Sequence, residues 1–565
     1  MSSPARLLRQ APRLTMALLT LPVLAGFFGT VALALGLTDR ALDDPGLSAF
    51  HLLWNWPGLL PAVRLSVITG LASTAIAVIL TLLIVASLSG TRAFSALRHL
   101  VSPLLAVPHA AAALGLAFLI APSGWIARAL SPWATGWTRP PDLLILNDPA
   151  GLSLILGLVA KELPFLLLMT LAALPQTDAL RRQHVASSLG YGRISGFALT
   201  VLPALYAQIR LPVYAVLAYA MTSVEMAQIL GPTLPPSLSV QISLWMMQPD
   251  PAKHAPAAAA AVVQLGLVLA AIGLWRLAEI AARRAMLARA FSGSRAIWLD
   301  RPALVLGLTA SLVLSVGLFA GLAGLSLWSI AGLWPFPDAW PASVSLSVWA
   351  RSATEMWGTV LTTVGLGLGA TLISLALVLG CLEAEHRFVL RPGIGAMWLL
   401  YLPLLVPQIA FLPGLEVLVL RLGLTGGGVL VAAVHVVFVL PYVFLSLSGP
   451  YRAWDVRIAT LGASLGASAA RVFWQLRLPM LLGAVLTAFA VGFAVSVGQY
   501  LPTLIVGGGR IETLTTQAVA LSSGGNRRLI GAFALLQLVL PALGFAAAIG
   551  LPALVFRNRR GMLAR

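Results

Sequence analysis

Very few charged side chains stand inside the long apolar stretches of this sequence. A charge at membrane depth is costly, so such a group marks a solute or ion pathway by default. Two other roles compete with that one: a side chain at a helix end that reaches toward water, or a polar link between packed helices. Lys161, Glu162 and Arg210 are open to any of these roles. The candidate pathway residues are Glu225, Gln408, Glu416 and Gln499.

The residue types that enzyme or metal chemistry needs are scarce and scattered. The seven histidines form no HExxH motif or comparable ligand pair, and Cys381 is the only cysteine. A phosphate-binding P-loop needs a Gly-Lys pair, yet Lys161 and Lys253 each follow alanine. No Ser/His or Asp/Asp constellation points to an intramembrane enzyme. The sequence therefore predicts no enzyme activity, no metal and no cofactor, and any ATP must be bound by a partner subunit.

The composition indicates a protein embedded in a membrane. Of the 565 residues, 59% are hydrophobic and 10% are charged, whereas about a quarter are charged in a soluble protein. Apolar stretches of about 20 residues, long enough to cross a bilayer, recur along the chain. The first exceeds the length of a signal-peptide core, so we interpret it as an uncleaved span. We predict an all-α polytopic protein with spans near residues 15–37, 65–88, 101–121, 150–174, 198–221, 257–278, 303–333, 357–381, 395–420, 427–449, 480–502 and 530–555.

The net charge of +18 at pH 7 could suggest nucleic-acid binding, but the positions of the arginines indicate otherwise. They concentrate in alternate connecting segments, including residues 6–13 before the first predicted span and 557–565 after the last. Positive residues are retained on the cytoplasmic side during insertion. The arginines therefore predict a multi-pass membrane protein with both termini in the cytoplasm and no nucleic-acid partner.

Several segments of the chain occur twice, in the same order in each half. "GYGRISGFALTVLP", from Gly190 to Pro203, is matched 276 residues later by "GASAARVFWQLRLP", from Gly466 to Pro479. "GPTLPPSLSVQ" lies over "GGGRIETLTTQ" at the same spacing. Earlier in each half, "ELPF" matches "VLPY" 277 residues later, and "PLLAVPHAAAALGL" matches "PLLVPQIAFLPGL" 299–300 residues later, so an insertion separates these matches. Two six-span units insert with the same orientation, related by an axis along the membrane normal. We predict two parallel halves, residues 1–285 and 286–565.

Each copy of the repeated loop predicts two short helices joined by a glycine. Glycine readily takes the left-handed conformation that ends a helix, and proline is tolerated in a helix's first turn. The second short helix is predicted over residues 193–201 and 469–477, before Leu-Pro begins the next span. One such loop could be a simple connector. Two at matched spacing on the cytoplasmic side predict a docking site for a paired cytosolic partner.

This loop resembles the EAA loop of permease subunits from bacterial ABC importers. The family pattern is Glu-Ala-Ala, three residues, glycine, roughly nine residues and then Ile-x-Leu-Pro. The glycines and the Leu-Pro pairs fit that pattern, whereas other residues replace Glu-Ala-Ala, and Thr200 and Leu476 stand at the isoleucine position. The ATPase-coupling residues that the resemblance implies are His184, Ala186, Gly190, Leu202 and Pro203 in the first half and Thr460, Gly462, Gly466, Leu478 and Pro479 in the second.

Nearly the whole chain is similar to permeases that fuse both halves, such as those for ferric iron and thiamine. It is also similar to a fused inner-membrane permease in which "SVGQYLPTLIVGGG" and "ETLTTQAVAL" have counterparts. The resemblance implies a type I importer fold in the bacterial inner membrane, a separate cytosolic ATP-binding cassette ATPase dimer and a periplasmic substrate-binding protein. It also implies an outer gate in the segments that end at Gln241 and Gln517.

One alternative of another class remains open. A 6+6 proton-coupled secondary transporter has the same number of spans, but it would be expected to carry a relay of carboxylates inside them. It would also have no reason for the twin glycine loops. Few intramembrane carboxylates argue against a metal cation as the cargo, and the sequence does not otherwise identify the transported solute.

Overall fold

The computed structural model describes residues 3–37, 46–91, 94, 107–293, 295, 297–390, 393–424 and 427–557. Within these ranges the chain is helical, and its sole β contact is an isolated bridge between Ala331 and Val344. The predicted all-α class is confirmed. The beginning of the third predicted span, residues 101–106, and the arginine-rich end at 558–565 lie outside the described residues.

The first half contains long apolar helices separated by short ones. Apolar and small residues dominate the long helices. The helical conformation pairs the backbone N–H and C=O groups within each segment, as a bilayer requires. The helices are α1 (Ser3–Ala34), α2 (Ser48–Trp54), α3 (Leu59–Leu88), α4 (His109–Ile120), α5 (Trp125–Leu130), α6 (Leu152–Ala173), α7 (Ala179–Ser188), α8 (Arg193–Gly196), α9 (Leu202–Thr222), α10 (Glu225–Leu230), α11 (Leu238–Met246) and α12 (His254–Phe291).

The second half repeats this order of long and short helices. Its third long segment is broken into two helices at Val406-Pro407, where proline interrupts the backbone pattern. The helices are α13 (Asp300–Ile330), α14 (Ser347–Arg351), α15 (Ala353–Phe388), α16 (Ile394–Leu405), α17 (Gln408–Arg421), α18 (Gly428–Arg452), α19 (Val456–Ser464), α20 (Ala469–Val472), α21 (Leu478–Met480), α22 (Leu482–Val497), α23 (Leu501–Val506), α24 (Leu514–Ser522) and α25 (Arg527–Val555).

Ten of the described helical segments are long and apolar enough to cross a membrane, and two bent pairs bring the number to as many as 12. The pair α16 and α17 is bent by 86°, so the span predicted over 395–420 is not one straight helix. The segments Ala469–Met480 and Leu482–Val497 are bent by 74°, whereas Arg193–Thr222 in the first half has no such bend. The predicted polytopic architecture is confirmed, and the two halves differ at this point.

Short elements recur at the 276-residue spacing of the sequence repeat. A π-helical turn, Phe197–Val201, follows α8, and a second one, Phe473–Arg477, follows α20 at that spacing. The short helices α10 and α23 match in both bounds, and α11 and α24 begin at matching positions. Backbone geometry thus repeats where the side chains have diverged. The helix α12 continues through residue 285 to Phe291, and the division of the chain at that residue stays a prediction.

The two halves exchange their first spans. Helix α1 packs against α17 of the second half, where a Cβ atom on Gly414 would lie 2.0 Å from the backbone nitrogen of Thr30. Helix α13 packs against α4 of the first half, where a Cβ atom on Gly321 would lie 2.7 Å from the backbone of Gly115. Small residues let membrane helices approach this closely. Each half is therefore completed by a helix from the other.

Candidate functional site

The two repeated loops share one backbone design. We call residues 179–201 the first elbow loop and residues 456–477 the second. Gly190 has a φ angle of +80° and Gly466 has +82°. Gly190 donates to the Ser187 carbonyl at 2.9 Å, and Gly466 donates to the Ala463 carbonyl at 3.0 Å. Each helix therefore ends on a left-handed glycine, as the sequence predicts.

The carbonyl groups of Ala186 and Gly462 complete these helix ends. Ala186 accepts a hydrogen bond from Tyr191 at 3.1 Å, and Gly462 accepts one from Ala467 at 3.0 Å. Both residues are buried against the second short helix of their loop. A Cβ atom on Gly196 would lie 3.0 Å from the Ala186 methyl, and one on Gly462 would lie 3.1 Å from the Val472 side chain. Small residues are required here because two helices cross without room for a larger side chain.

The segment between the halves clamps the first elbow loop. The Asp300 carboxylate accepts hydrogen bonds from the backbone nitrogens of Arg193 at 2.7 Å and Ile194 at 3.0 Å, so it caps the short helix α8. A Cβ atom on Gly190 would lie 2.8 Å from the Arg295 guanidinium. In the second loop the corresponding cap is Ser468, which accepts from Arg471 at 3.3 Å. The two loops are thus held by different groups.

A buried charged group anchors the second elbow loop. Arg477, in its π-helical turn, is 2% exposed and pairs with Glu383 near the end of α15. Arg387 binds the other oxygen of Glu383 at 2.5 Å and the Ala469 carbonyl at 3.2 Å. The Arg477 guanidinium also stacks 4.3 Å from the Trp454 ring. The loop is therefore fixed to the end of a spanning helix, a contact that sequence reasoning missed.

Both elbow loops expose apolar side chains at matching positions. Asp300 at the start of α13 binds the first loop, and Arg387 at the end of α15 binds the second. Since α13 and α15 are two successive spans, the loops lie at the same end of the bundle, which we call the elbow end. His184 and Thr460, at the position of the family glutamate, are exposed as well, and the Leu-Pro pairs begin α9 and α21. The apolar residues, each more than half exposed, are Leu180, Val185 and Leu189 in the first loop and Val456, Leu461 and Leu465 in the second.

Polar side chains from several helices meet inside the bundle. Nε2 of His109 lies 3.5 Å from a carboxylate oxygen of Glu162, and the His109 ring lies 4.6 Å from the Tyr219 ring. The Tyr219 hydroxyl donates to Glu225 at 2.8 Å. A continuous row therefore runs from one buried glutamate to the other. Sequence reasoning singled out both carboxylates but not the histidine and tyrosine that connect them.

The same region contains one contact between the two halves and one within the second half. The hydroxyl of Tyr500 donates to Oε1 of Gln228 at 2.8 Å. Nε2 of Gln408 lies 3.4 Å from Oε1 of Gln499, which brings together two predicted pathway residues. Gln408 and His109 correspond, because each follows a Val-Pro pair and begins its helix. We define the central cluster as His109, Glu162, Tyr219, Glu225, Gln228 and Tyr500.

Other predicted site residues lie elsewhere. Gln241 and Gln517 lie half-buried on α11 and α24. Neither side chain enters the hydrogen bonds of the described residues, in which Ser239 instead donates to the Met221 carbonyl at 3.4 Å and Thr515 to the Val497 carbonyl. Glu416 lies half-buried on α17 and forms no bond with the central cluster.

Two other polar side chains have structural contacts. Arg210 pairs with Glu279 on α12 at 3.1 Å. His435, which sequence reasoning did not select, is buried and bonded to Ser496 at 2.8 Å and Thr503 at 2.9 Å. Both contacts link neighbouring helices. These two residues therefore act as polar links between helices.

Comparison with known proteins identifies the family. No family model matches the sequence. The chain is 32% identical over 513 residues to the inner membrane ABC transporter permease protein YnjC of Escherichia coli K12, covering 89% of this chain and 91% of that relative. It is 26% identical over 171 residues to the spermidine/putrescine permease protein PotC of Haemophilus influenzae, covering 30% of this chain and 66% of the relative.

A third relative gives the same result. The chain is 29% identical over 185 residues to the molybdenum transport permease protein ModB of Mycobacterium bovis, covering 30% of this chain and 68% of that relative. These relatives are transport subunits rather than enzymes. One alignment spans nearly the whole chain, while the shorter relatives match about a third of it. The protein belongs to the inner-membrane permeases of ABC transporters, in the fused form that carries two permease halves in one chain.

Proposed function

We propose that this permease forms the translocation pathway of an importer that receives its solute from a periplasmic binding protein. A separate ATPase dimer docks on the two elbow loops and supplies the energy. The observation that carries the proposal is the matched pair of glycine elbows, which present equivalent exposed apolar residues at one end of the bundle. A dimeric partner needs two such sites, and this chain supplies both.

The docking chemistry differs from a glutamate-based contact. His184 and Thr460 replace the acidic residue, so neither loop offers a carboxylate at that position. The exposed apolar residues of each loop provide contact area instead, since burying apolar surface favours association. An apolar groove on the ATPase is the complement we expect. The names of the partial relatives refer to spermidine and putrescine or to molybdenum, so they do not agree on a cargo.

The proposal places the elbow end in the cytoplasm, together with both termini. Its support is the arginine bias of the sequence. Cysteines introduced at Leu465 in the elbow end and at Val429 at the opposite end test it in a Cys381→Ser background. A membrane-impermeant maleimide applied to spheroplasts should label Val429→Cys only, and Leu465→Cys only after permeabilisation. The reverse pattern would contradict the orientation and the docking site together.

Docking can be tested on the full chain purified from its own host membranes. An ATPase with a P-loop should co-purify, and a Val185→Ser, Leu461→Ser variant should retain far less of it. Val429→Ser is the matched control, because Val429 is equally apolar and 88% exposed but lies at the other end. Equal ATPase recovery in all three preparations would contradict docking through the elbow loops. Uptake driven by a proton gradient in the isolated chain would instead favour a secondary transporter.

A further inference from the structure

We propose that the central cluster binds an organic cation, so that the cargo of this importer carries an ammonium or similar nitrogen-centred positive charge. This inference rests on the proposed function, because it assumes that solute passes between the two halves. The cluster lies at that boundary: Gln228 belongs to the first half, and Tyr500, which donates to it at 2.8 Å, belongs to the second. Rearrangement of the halves would open the pathway at this contact.

The charge of the cluster favours a cation. Glu162 and Glu225 are both buried, at 6% and 9% exposure. Glu225 receives the Tyr219 hydroxyl and takes part in no ion pair within the part of the chain that the structure describes. A buried carboxylate without a basic partner is costly, and a passing cation would supply that partner.

The available basic groups are poorly arranged for an anion. The amine of Lys161 donates to the Val107 carbonyl at 2.5 Å and interacts electrostatically with the neighbouring Glu162. His109 faces the same carboxylate at 3.5 Å. An oxyanion entering the cluster would meet two carboxylates and two basic groups that are already engaged with acceptors. Repulsion from the carboxylates therefore disfavours anionic cargo.

The hydrogen-bonding groups of the cluster favour a donor ligand. The hydroxyls of Tyr219 and Tyr500 already donate to Glu225 and Gln228, which leaves further acceptor capacity on the carboxylate and amide oxygens. An ammonium group carries up to three N–H donors and no acceptor, which is the complement of such a surface.

The aromatic residues distinguish an organic cation from a bare metal ion. The Tyr219 hydroxyl lies 2.8 Å from the Glu225 carboxylate, and Tyr500 bonds to Gln228, one helical turn further along α10, so two phenol rings lie beside this carboxylate. Aromatic faces attract ammonium groups, and recognition of such ligands commonly uses them. In the described residues, no group of three or more His, Cys, Asp or Glu side chains could hold a metal ion. The chemistry therefore points to a carbon-bearing cation.

The test measures uptake by cells that carry the whole transporter, relative to a strain without this chain. The probes are putrescine, spermidine, choline and thiamine as cations, and molybdate, sulfate and maltose as anionic or neutral solutes. We expect uptake of at least one cation. Glu225→Gln should lower that uptake at least about tenfold, the cost of losing one charge-assisted contact, and Glu225→Asp should retain part of it. Glu355→Gln is the matched control and should leave uptake unchanged, because Glu355 is exposed at the start of α15 and joins no bond of the cluster.

ATPase co-purification from the same strains separates the two proposals. If ATPase binds all variants but none of the cations is taken up, the cargo inference is wrong and the proposed function stands. Cation uptake that is equal in Glu225→Gln and the parent would also overturn the inference. If no ATPase binds the unmodified chain, the proposed function fails, and the inference that depends on it fails too.

Discussion

Gly190 and Gly466 adopt the same left-handed backbone conformation, with φ angles of +80° and +82°, but their surroundings differ. A side chain at Gly190 would meet the Arg295 guanidinium, whereas one at Gly466 would meet no atom within 4 Å. A substitution at Gly466 therefore isolates the backbone cost, and one at Gly190 adds a contact that the flexible end of the Arg295 side chain can relieve by moving. The left-handed backbone is consequently the main cost at both positions.

The first prediction concerns these glycines. Gly466→Ala should cost the local turn roughly 1–2 kcal/mol, because an L-residue is strained in the left-handed region, and Gly466→Val should cost more. ATPase recovery and uptake should fall in that order, while the amount of protein in the membrane stays unchanged. Gly190→Val and Gly466→Val together should abolish uptake. Gly449→Ala is the control, since a Cβ atom there meets nothing within 4 Å and its φ angle is not positive. Unimpaired transport in the double variant would show that the loops only connect spans and do not dock the ATPase.

The second prediction concerns the clamp on the first elbow loop. Asp300→Ala removes both acceptors from the start of α8, which should cost about 0.5–2 kcal/mol as the loss of a helix cap. Faster amide hydrogen exchange at Arg193 and Ile194 is the measurement. Exchange in the second elbow loop should stay unchanged, because Ser468 caps it independently. Equal exchange at Arg193 in the variant and the parent would show that Asp300 does not hold the loop.

Local signals in the sequence predict the elbow but not its supports. The glycine stop and the Leu-Pro start depend on neighbouring residues, so the 276-residue repeat is sufficient to place both turns. The cap from Asp300 joins residues 107 positions apart, and the Arg477–Glu383 pair joins residues 94 apart. The Arg477–Glu383 pair has no counterpart in the first half, where Val201 matches Arg477 and the apolar Leu83 or Ile84 matches Glu383.

The pathway residues show the same limit. Intramembrane charge selects Glu225, which lies in a polar cluster, because the cost of such a charge depends on burial; its place on the pathway stays a prediction. The same rule selects Glu416, which shares no bond with that cluster, and passes over the uncharged Tyr219 and Tyr500 as well as His109. Their grouping depends on how α4, α6, α9 and α10 pack against the start of α23, and one sequence does not specify that packing.

The third prediction concerns the buried charges at the second elbow loop. Glu383→Gln leaves Arg477 and Arg387 without their shared carboxylate, and breaking a buried pair costs about 3–5 kcal/mol. We expect a clear fall in the thermal midpoint of the detergent-purified chain. Glu385→Gln is the matched control on the same helix: its partner Arg452 is 43% exposed, so the loss should stay within about 1 kcal/mol. Equal midpoints for the two variants would contradict an anchoring role of Glu383.

The fourth prediction concerns the exchange of first spans between the halves. A methyl group at Gly414 would lie 2.0 Å from the Thr30 nitrogen and 2.1 Å from the Gly26 carbonyl oxygen, so both collisions are with backbone. Because backbone cannot rotate away, Gly414→Ala must push α1 from α17 and break the hydrogen bond from the Gly414 nitrogen to Thr30 at 2.9 Å. Overpacking of this kind costs about 1–3 kcal/mol.

The measurement for Gly414→Ala is cross-linking between the two helices, with cysteines at Val23 on α1 and Leu415 on α17 in the Cys381→Ser background. The substitution should lower the yield of the cross-link and the thermal midpoint together. Gly365→Ala on α15 is the control, since a methyl group there would meet no atom within 4 Å. An unchanged cross-link in Gly414→Ala would mean that the position of α1 does not depend on this contact with α17 of the second half.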